Sequence, residues 1–474
     1  MGMLGREWLA GADNAWRRMG VPENLTSITG MLCFTEQMPY EEFCAHLEER
    51  LLRFERFQQR IGGRRRTIRR PYWQTVDEFD IETHVHEINL RKPGSRKQLE
   101  SFVGMLMSQP VDERRPLWQA YLIEEYQGGS VAVFRLNHSM ADGFALLSVL
   151  LGLADHPEEI EFPIEGLSVP DAPGYEEPKT PADDNASAGV STQERDSNQT
   201  AGQRSDNTDI RKSLSTRDKL SQSVRMTATA VKVGANMLLM DSEPQTSLHD
   251  DLGVAKRAAW TDEMDLTAVK EVGKQTDATV NDVLLGTTAG VFRRTLEQRD
   301  EETDDLVLRC TVPVNLKPLE KRDSSLGNHF GFAFVPIPVG IEDLEKRIEF
   351  IRQRTSRERL GTEAFLVYSL MTLGGHVPEG VFSLALKLFE DNATAVVSNV
   401  PGPVDTIEIA GNEVEKIMFW NPQAVDQGLS LSIFTYDGGV RVGISGDANL
   451  IPEPNRLTDA FETEISMLEE TYLE

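Results

Sequence analysis

The feature that most restricts the fold of this chain is a long polar stretch near its middle. Residues 164–212 are rich in Asp, Glu, Ser, Pro, Gly and Gln and contain few large apolar side chains. Such a segment cannot bury enough surface to offset the entropy of ordering it, so we expect a disordered acidic linker. At 474 residues the chain also exceeds what one hydrophobic core usually supports. The sequence therefore predicts two halves, residues 1–163 and 256–474, with a connecting helical segment at 213–255.

The chain carries a large excess of negative charge. Its 76 acidic residues against 49 basic ones give a formal net charge of −27. Such a chain is repelled by nucleic-acid phosphates, which argues against a DNA or RNA partner. Arginine is also far more frequent than lysine, and an acidic surface favours solubility in high salt, so we expect a halophilic protein. A merely acidic protein is the alternative.

The cysteines and the N-terminal residues indicate the cellular compartment of the protein. Cys33, Cys44 and Cys310 are scattered and lack metal-ligand spacing, so we expect a reducing compartment with neither a disulfide framework nor a zinc site. The N-terminal stretch has charges where a signal peptide needs an apolar core, and no apolar stretch approaches the length of a membrane span. We expect a cytoplasmic protein whose contact with a membrane or lipid inclusion is at most peripheral.

Both halves mix helical and strand patterns. Apolar residues three and four apart predict a long helix over 40–61, and alternation predicts strands that include 79–90 and 130–138. In the second half, Thr279 is a predicted N-cap, and Asp437-Gly438-Gly439 predicts a hairpin turn. The pattern is typical of an α+β protein. Two such halves imply a shared groove, where ligands commonly lie.

A lone histidine, His138, stands at the end of a predicted strand and just ahead of an apolar helix. A side chain there faces a cleft, and a neutral imidazole can take a proton from a hydroxyl near pH 7. Neighbours on a strand face opposite ways, so Ser139 is not expected to serve as its nucleophile. Asp142 would pair with an arginine or orient the imidazole, and Gly143 permits close backbone approach. For an isolated motif, a satisfied histidine in a capped loop is the alternative.

Other catalytic signatures are not found in the sequence. There is no GxSxG elbow, Walker loop, HExxH motif or Rossmann glycine fingerprint. His84 and His86 would share one face of a strand as metal ligands do, but no third ligand is evident. We therefore expect a half-buried structural pair and no metal site.

Several motifs, taken in order along the chain, resemble one family. The segment NHSMADG, residues 137–143, corresponds to the family motif HHxxxDG; Pro116-Leu117-Trp118 corresponds to its PLW element, and Asn281-Asp282 to its ND element. The segments VPVNLKP, LGNHFGFAFVPIPVG and SNVPGP follow in the expected order. Apart from the acidic linker, nearly the whole chain is similar to the bacterial-type wax ester synthase/acyl-CoA:diacylglycerol acyltransferases. These belong to the acyltransferases with the chloramphenicol acetyltransferase-like fold.

The resemblance implies a fold, a reaction and a base. The fold would be two chloramphenicol acetyltransferase-like halves, each a mixed sheet with helices, around a shared groove. The reaction would move a fatty acyl group from acyl-CoA, a substrate rather than a cofactor, to diacylglycerol or a long-chain alcohol. His138 is the second histidine of the motif and would be the general base. Asn137 replaces the first histidine, and strand alternation directs it away from the face of His138, so we expect a loop-orienting role.

Further roles follow from the same resemblance. Asn281, at the start of a helix, would stabilise the oxyanion or position the acyl group, with a structural role at the helix start as the alternative. Asp282 would stabilise that helix, and Asp142 and Gly143 would support the loop of His138. Contacts with substrate are expected from Pro116, Leu117, Trp118, Ser398 and Asn399, although packing explains the first three equally well.

Two other functions remain open from the sequence. The same fold and base could serve a different acceptor, as in a condensation-type or natural-product acyltransferase. Alternatively, the chain could be a non-catalytic lipid-binding homologue, for which Asn137 is the one hint in the sequence.

Overall fold

The computed structural model describes residues 7–63, 70–162, 243–316, 326–387, 392–423 and 425–473. Within them the chain alternates between strands and helices of ordinary length. The helices are α1 Gly11–Met19, α2 Tyr40–Arg50, α3 Arg96–Met107, α4 Gly143–Leu153, α5 Leu266–Gln275, α6 Val280–Glu297, α7 Leu344–Arg352, α8 Arg357–Gly374, α9 Glu379–Leu386 and α10 Asn455–Tyr472. The strands are β1 Glu7–Trp8, β2 Ser27–Phe34, β3 Gln59–Gly62, β4 Tyr72–Thr75, β5 Val85–Glu87, β6 Trp118–Tyr126, β7 Gly129–Asn137, β8 Lys256–Trp260, β9 Met264–Asp265, β10 Leu308–Asn315, β11 Phe330–Ile337, β12 Ala395–Pro401, β13 Glu408–Ile409, β14 Asn412–Trp420, β15 Leu429–Tyr436 and β16 Gly439–Asp447.

Two mixed sheets form the body of the protein. The first has six strands in the order β13-β14-β2-β7-β6-β5, in which the pair β5–β6 is parallel. The second has seven strands in the order β11-β10-β12-β15-β16-β8, with β9 also paired to β16. A small third sheet has the order β1-β4-β3. The expected α+β fold with two mixed sheets is confirmed.

The two halves are interlocked by one strand. β14, which comes late in the sequence, pairs antiparallel with β2, from the first half, with Met418 opposite Met31. The first sheet is therefore completed by residues of the second half. The expected division at residues 163 and 256 describes the chain order, whereas the first sheet also includes β13 and β14 from the second half.

Strand alternation assigns each face of the second sheet a different role. On β12, Ala395 and Val397 belong to the core cluster that also contains side chains of α6, α7 and α10. Val396 and Ser398 point to the opposite face and line a cavity between the sheets. Helices α6, α7 and α10 thus cover one face of this sheet. The other face meets the first half and, at the edge strand β11, packs against α8 and α9.

Local sequence explains most element boundaries. Thr279 caps α6 through a capping box with Asp282, as predicted from the Thr at its start. The predicted hairpin at Asp437 and Gly438 joins β15 to β16, and both residues have positive φ values, 49° and 73°. Such a two-residue turn matches the twist of the flanking strands.

Two predicted elements are shorter in the structure. The predicted helix over 40–61 ends at Arg50 and continues as two short 3-10 turns and strand β3. Phe54 and Phe57 are buried within these turns, so their burial in the core decides the backbone here rather than helical spacing. The predicted strand over 79–90 is reduced to β5 because a 3-10 turn precedes it.

Some expectations fall outside the described part of the chain. The acidic linker, 164–212, and residues 213–242 of the expected helical segment lie there. In the described ranges, no helix has both the length and the apolar character needed to cross a membrane.

Candidate active site

The loop that carries His138 is fixed by side chains on either side of it. β7 ends at Asn137, whose Oδ1 accepts from the Ser139 N–H at 3.0 Å and whose Nδ2 donates to Thr26 Oγ1 at 3.2 Å. Asp142 caps α4 by accepting from the Ala145 N–H at 2.8 Å. Asn137 and Asp142 therefore fix the two ends of the loop through bonds to backbone N–H groups.

Asp142 also ties the loop to the second half. Its Oδ2 accepts from the His329 N–H at 2.9 Å, and its own N–H donates to the Gly327 carbonyl at 3.2 Å. The support role predicted for Asp142 therefore involves helix capping and backbone contacts. The segment 327–329 is consequently held against the loop of His138.

The imidazole of His138 lies in an aromatic setting at the junction of the halves. It stacks on Trp16 of α1 with ring centroids 4.0 Å apart and an interplanar angle of 8°. Phe330 of β11 lies at a centroid distance of 5.3 Å. The side chain is buried, and this desolvation lowers the pKa of His138 to about 4. The ring is therefore neutral at pH 7.

The hydrogen bonds of Asn328 determine the tautomer of that neutral ring. Asn328 Nδ2 donates to the His138 carbonyl at 2.7 Å and to Asp13 Oδ1 at 2.9 Å, so the amide nitrogen must face these two acceptors. Asn328 Oδ1 then lies 2.8 Å from His138 Nδ1. An amide oxygen only accepts, so Nδ1 carries the proton and Nε2 has the free lone pair. This is the tautomer that a general base at Nε2 needs.

His138 borders a cavity between the two sheets. The cavity has a volume of about 50 Å³, and the predicted residues Asp142, Gly143, Ser398 and Asn399 line it together with His138. The two motifs that supply these residues lie more than 250 positions apart in the sequence, and the fold brings them to one cavity.

A larger apolar cavity adjoins the first. It has a volume of about 140 Å³ and lies between α4 and strands of the first sheet, with Leu146, Leu150 and Phe134 among its lining residues. Gly143, Val400 and Asn421 line both cavities, so the two cavities lie side by side at these residues. The arrangement is suited to a long hydrocarbon chain whose polar end lies near His138.

Ser398 has a defined partner inside the site. Its side chain is buried, and Asn421 Nδ2 donates a hydrogen bond to Ser398 Oγ. Asn421 is held in turn because its N–H donates to Ser432 Oγ at 3.0 Å. Since Ser398 Oγ accepts from Asn421, its own O–H is available as a donor.

The structure does not bring Asn281 to this cavity. Asn281 lies in the first turn of α6, which packs on the face of the second sheet opposite the one that lines the cavity. Asp282 occupies the capping box and bonds to Thr355, as a helix stabiliser would. The alternative role for Asn281, at the helix start, agrees with this placement, whereas the oxyanion role does not.

The PLW segment is part of the core of the first half. Pro116, Leu117 and Trp118 are buried, and none of them lines either cavity near His138. Trp118 Nε1 donates to the Phe57 carbonyl at 2.8 Å, and its ring stacks on His84. Packing, rather than substrate contact, accounts for their positions.

His84 and His86, the predicted structural pair, contact backbone and side chains of the first half. His84 is buried, and its Nδ1 lies 2.8 Å from the Trp118 carbonyl. His86 lies 3.4 Å from the Gln119 amide nitrogen. Burial lowers the pKa of both histidines.

Sequence reasoning missed four residues that contact His138, Asn328 or Ser398: Asp13, Trp16, Asn328 and Asn421. Asn328 lies within LGNHFGFAFVPIPVG, a segment that carried the resemblance but suggested no role. A polar Asn-His pair directly ahead of an apolar strand was the available signal. Asp13 and Trp16 gave none, because α1 reads as an ordinary amphipathic helix.

Comparison with solved structures defines the class of fold. A wax ester synthase/diacylglycerol acyltransferase from Marinobacter aquaeolei superimposes with a TM-score of 0.65 at 20% identity, covering 99% of this chain and 100% of that one. The first condensation domain of the calcium-dependent antibiotic synthetase gives a TM-score of 0.59 at 13% identity, covering 100% and 98%. The fold is thus the chloramphenicol acetyltransferase-like fold shared by acyltransferases and condensation domains.

Sequence comparison then identifies the family. The wax ester synthase/diacylglycerol acyltransferase catalytic domain matches residues 9–284, and the WS/DGAT C-terminal domain matches residues 326–469. A probable diacylglycerol O-acyltransferase of Mycobacterium tuberculosis is 25% identical over 436 residues, covering 90% of this chain and 88% of that protein. An O-acyltransferase of Acinetobacter baylyi is 23% identical over 409 residues, covering 84% and 83%. The chain belongs to the wax ester synthase/diacylglycerol acyltransferase family and is an O-acyltransferase.

Proposed function

We propose that this enzyme transfers a fatty acyl group from acyl-CoA to the hydroxyl of diacylglycerol or a long-chain alcohol, with His138 as general base. The observation that carries the proposal is the free Nε2 of a neutral, buried imidazole whose Nδ1–H is held by Asn328. A base must be deprotonated before the reaction and correctly oriented during it, and His138 meets both requirements.

The chemistry needs one proton to move twice. Nε2 of His138 takes the proton of the acceptor hydroxyl as its oxygen attacks the thioester carbonyl carbon. The tetrahedral intermediate then collapses, the carbon–sulfur bond breaks, and the imidazolium returns the proton to the CoA sulfur. No covalent enzyme intermediate is required, which agrees with Ser139 being absent from the lining of the His138 cavity. General-base assistance of this kind contributes about 10²–10⁴-fold.

Ser398 is the candidate donor to the oxyanion. It lines the same cavity as His138, and the amide of Asn421 bonds to its oxygen, which leaves the Ser398 O–H free to donate. A hydroxyl fixed in a dry cavity can stabilise developing negative charge without reorganising. Ser398 therefore takes the role that sequence reasoning gave to Asn281.

The hydrocarbon chain of one substrate would occupy the apolar cavity beside α4. Its walls include Leu146, Leu150 and Phe134, and it adjoins the cavity of His138 at Gly143. Burial of each methylene contributes about 0.8 kcal/mol, so such walls favour long chains over short ones. This supports a lipid substrate over a small polar acceptor.

Contact with a lipid surface would bring the acceptor to the site. The large apolar side chains Phe365, Val381 and Leu384 are 54–65% exposed on α8 and α9. On their inner side these helices pack with Trp16, Phe330 and Phe332, the aromatic side chains around His138. We infer that this outer face docks on neutral lipid, because apolar contact needs no positive charge on a chain of net charge −27.

An acceptor screen tests the proposed function. Free CoA thiol would be measured after mixing the enzyme with palmitoyl-CoA alone, with diacylglycerol, with hexadecanol, or with an amine acceptor. Release that depends on a hydroxyl lipid, with the matching ester as product, supports the proposal. Release that depends only on the amine would favour a condensation-type acceptor, and no release with any acceptor would favour a non-catalytic lipid-binding protein.

A further inference from the structure

A buried carboxyl group lies behind His138 and has no part in the mechanism above. Asp13, on α1, is 4% exposed. One of its oxygens, Oδ1, accepts from both the Asn328 N–H, at 3.0 Å, and the Asn328 side-chain amide, at 2.9 Å. Because both donors bond to Oδ1, this oxygen of the buried carboxyl group acts as a hydrogen-bond acceptor.

Asn328 joins this carboxyl group to the catalytic imidazole. The same side chain donates from Nδ2 to Asp13 and accepts at Oδ1 from His138 Nδ1–H. A further bond from Nδ2 to the His138 carbonyl, at 2.7 Å, prevents the amide from flipping. The three groups thus form a line of hydrogen bonds: carboxylate, amide, imidazole.

This line of hydrogen bonds offsets a cost of using a buried histidine as the base. Burial that keeps His138 neutral also disfavours the imidazolium that forms when it takes the substrate proton. A negative charge beyond a polarised amide stabilises that imidazolium, and it does so strongly in a site of low dielectric.

We propose that Asp13 and Asn328 are positioning residues for His138: Asn328 holds the Nδ1–H tautomer, and the Asp13 carboxylate, through Asn328, stabilises the imidazolium formed during acyl transfer. Asp13 takes no proton in this scheme, since the proton stays on Nε2 until it passes to the CoA sulfur. The inference rests on the proposed function of His138. We call the hydrogen-bonded line Asp13–Asn328–His138 the relay, although no proton passes along it.

Because the relay needs the Asp13 carboxylate, its stabilisation of the His138 imidazolium depends on pH. Burial, the largest cause, raises the pKa of Asp13 to about 6, while the bonds from Asn328 and the charge of Arg56 lower it and Asp142 raises it. Among the described residues, Tyr368 of α8 and the His329 ring also lie near Asp13. The carboxylate form, which the relay needs, is present above pH 6 and is lost as the pH falls through 6.

The test is the pH profile of Asp13→Asn, an isosteric change that keeps an acceptor oxygen and removes the charge. At pH 8 we expect kcat to fall about tenfold, which corresponds to one pKa unit of imidazolium stabilisation, with KM little changed. Below pH 6 the wild type also loses the charge, so the ratio of wild-type to variant kcat should shrink. Glu113→Gln, the same chemical change at a half-exposed carboxylate paired with Arg17, is the control and should leave the profile unchanged.

A ratio that stays constant from pH 5 to 8 would overturn the relay and leave Asp13 a purely structural residue. Should Asp13→Asn fail to fold, ¹⁵N-histidine NMR of the wild type decides: a protonated Nδ1 on His138 is expected, and a protonated Nε2 overturns the proposal. Failure of the relay can be distinguished from failure of the proposed function. Activity retained by a His138 variant would refute the base itself, whereas an inactive His138 variant with a constant Asp13 ratio would refute the relay alone.

Discussion

His138 Nδ1 and Asn328 Oδ1 lie 2.8 Å apart, although 190 positions separate the two residues in the sequence. The bond joins the loop after β7 to the segment ahead of β11, and therefore the first half of the chain to the second. A displacement of either half relative to the other would break it and free the imidazole to change tautomer. The orientation of the base thus depends on correct docking of the two sheets.

Asn137 in place of the family's first histidine should have little effect on chemistry. Its side chain bonds to the Ser139 N–H and to Thr26 and does not line the cavity. We expect Asn137→His to keep kcat within a few fold of wild type in the acyl-transfer assay. Asn137→Ala removes the two loop bonds and should cost about 0.5–1.5 kcal/mol per bond in the free energy of unfolding, measured by denaturant titration. A hundredfold loss of kcat in Asn137→His would show that the position acts in catalysis.

Ser398→Ala should lower kcat with little change in KM, because an oxyanion donor acts mainly in the transition state. Loss of one such donor typically costs about 10²–10³-fold. Ser430→Ala on β15 is the matched control: this serine is also buried but does not line the cavity of His138. Steady-state kinetics of the two variants would test the assignment. Equal, small effects in both would exclude Ser398 as the donor.

A larger side chain in the apolar cavity should shorten the preferred chain. Leu146 lines the 140 Å³ cavity from α4, and Leu146→Trp would fill part of it. We expect kcat/KM for a sixteen-carbon substrate to fall while that for a six-carbon substrate stays near the wild-type value. Each enzyme serves as its own control through this ratio, measured separately for the acyl-CoA and for the alcohol. An unchanged ratio for both substrates would mean that neither chain enters this cavity.

Asp13 should be a residue at which activity and stability conflict. The pKa of Asp13 in the folded protein, about 6, lies above the ordinary value of 3.8, so the ionised form is disfavoured in the folded state. Stability therefore falls as the pH rises from about 4 to 6 and stays reduced above 6. Asp13→Asn should raise the free energy of unfolding at pH 8 by about 1–3 kcal/mol, and the gain should disappear near pH 4. A variant that is less stable than wild type at pH 8 would contradict this explanation.

The sequence was sufficient to predict the local elements with strong patterns. β7, α4, the capped start of α6 and the hairpin at Asp437 all follow from alternation, helical spacing or turn chemistry, which act over a few residues. His138 and Ser398 could be named because their motifs retain a recognisable order along the chain. The family comparisons agree with that order.

What the sequence could not give are contacts made between distant segments. Asp13 and Asn328 meet only after α1 and the segment ahead of β11 pack around His138, and no local pattern encodes that meeting. The same holds for β14, whose pairing with β2 in the other half depends on competition among strands. Asn281 shows the converse error, since a motif near a helix start was given a catalytic role that its position in the fold does not support.

The most direct test of the account is the rate of acyl transfer by His138→Asn. The asparagine amide can still donate to Asn328 in place of Nδ1–H, but it has no counterpart of Nε2, so the loop should be preserved while the base is lost. Folding would be checked by thermal unfolding beside the wild type. We predict a loss of kcat of about 10²–10⁴-fold with KM for palmitoyl-CoA nearly unchanged. A folded His138→Asn enzyme that forms ester at the wild-type rate would contradict the central claim.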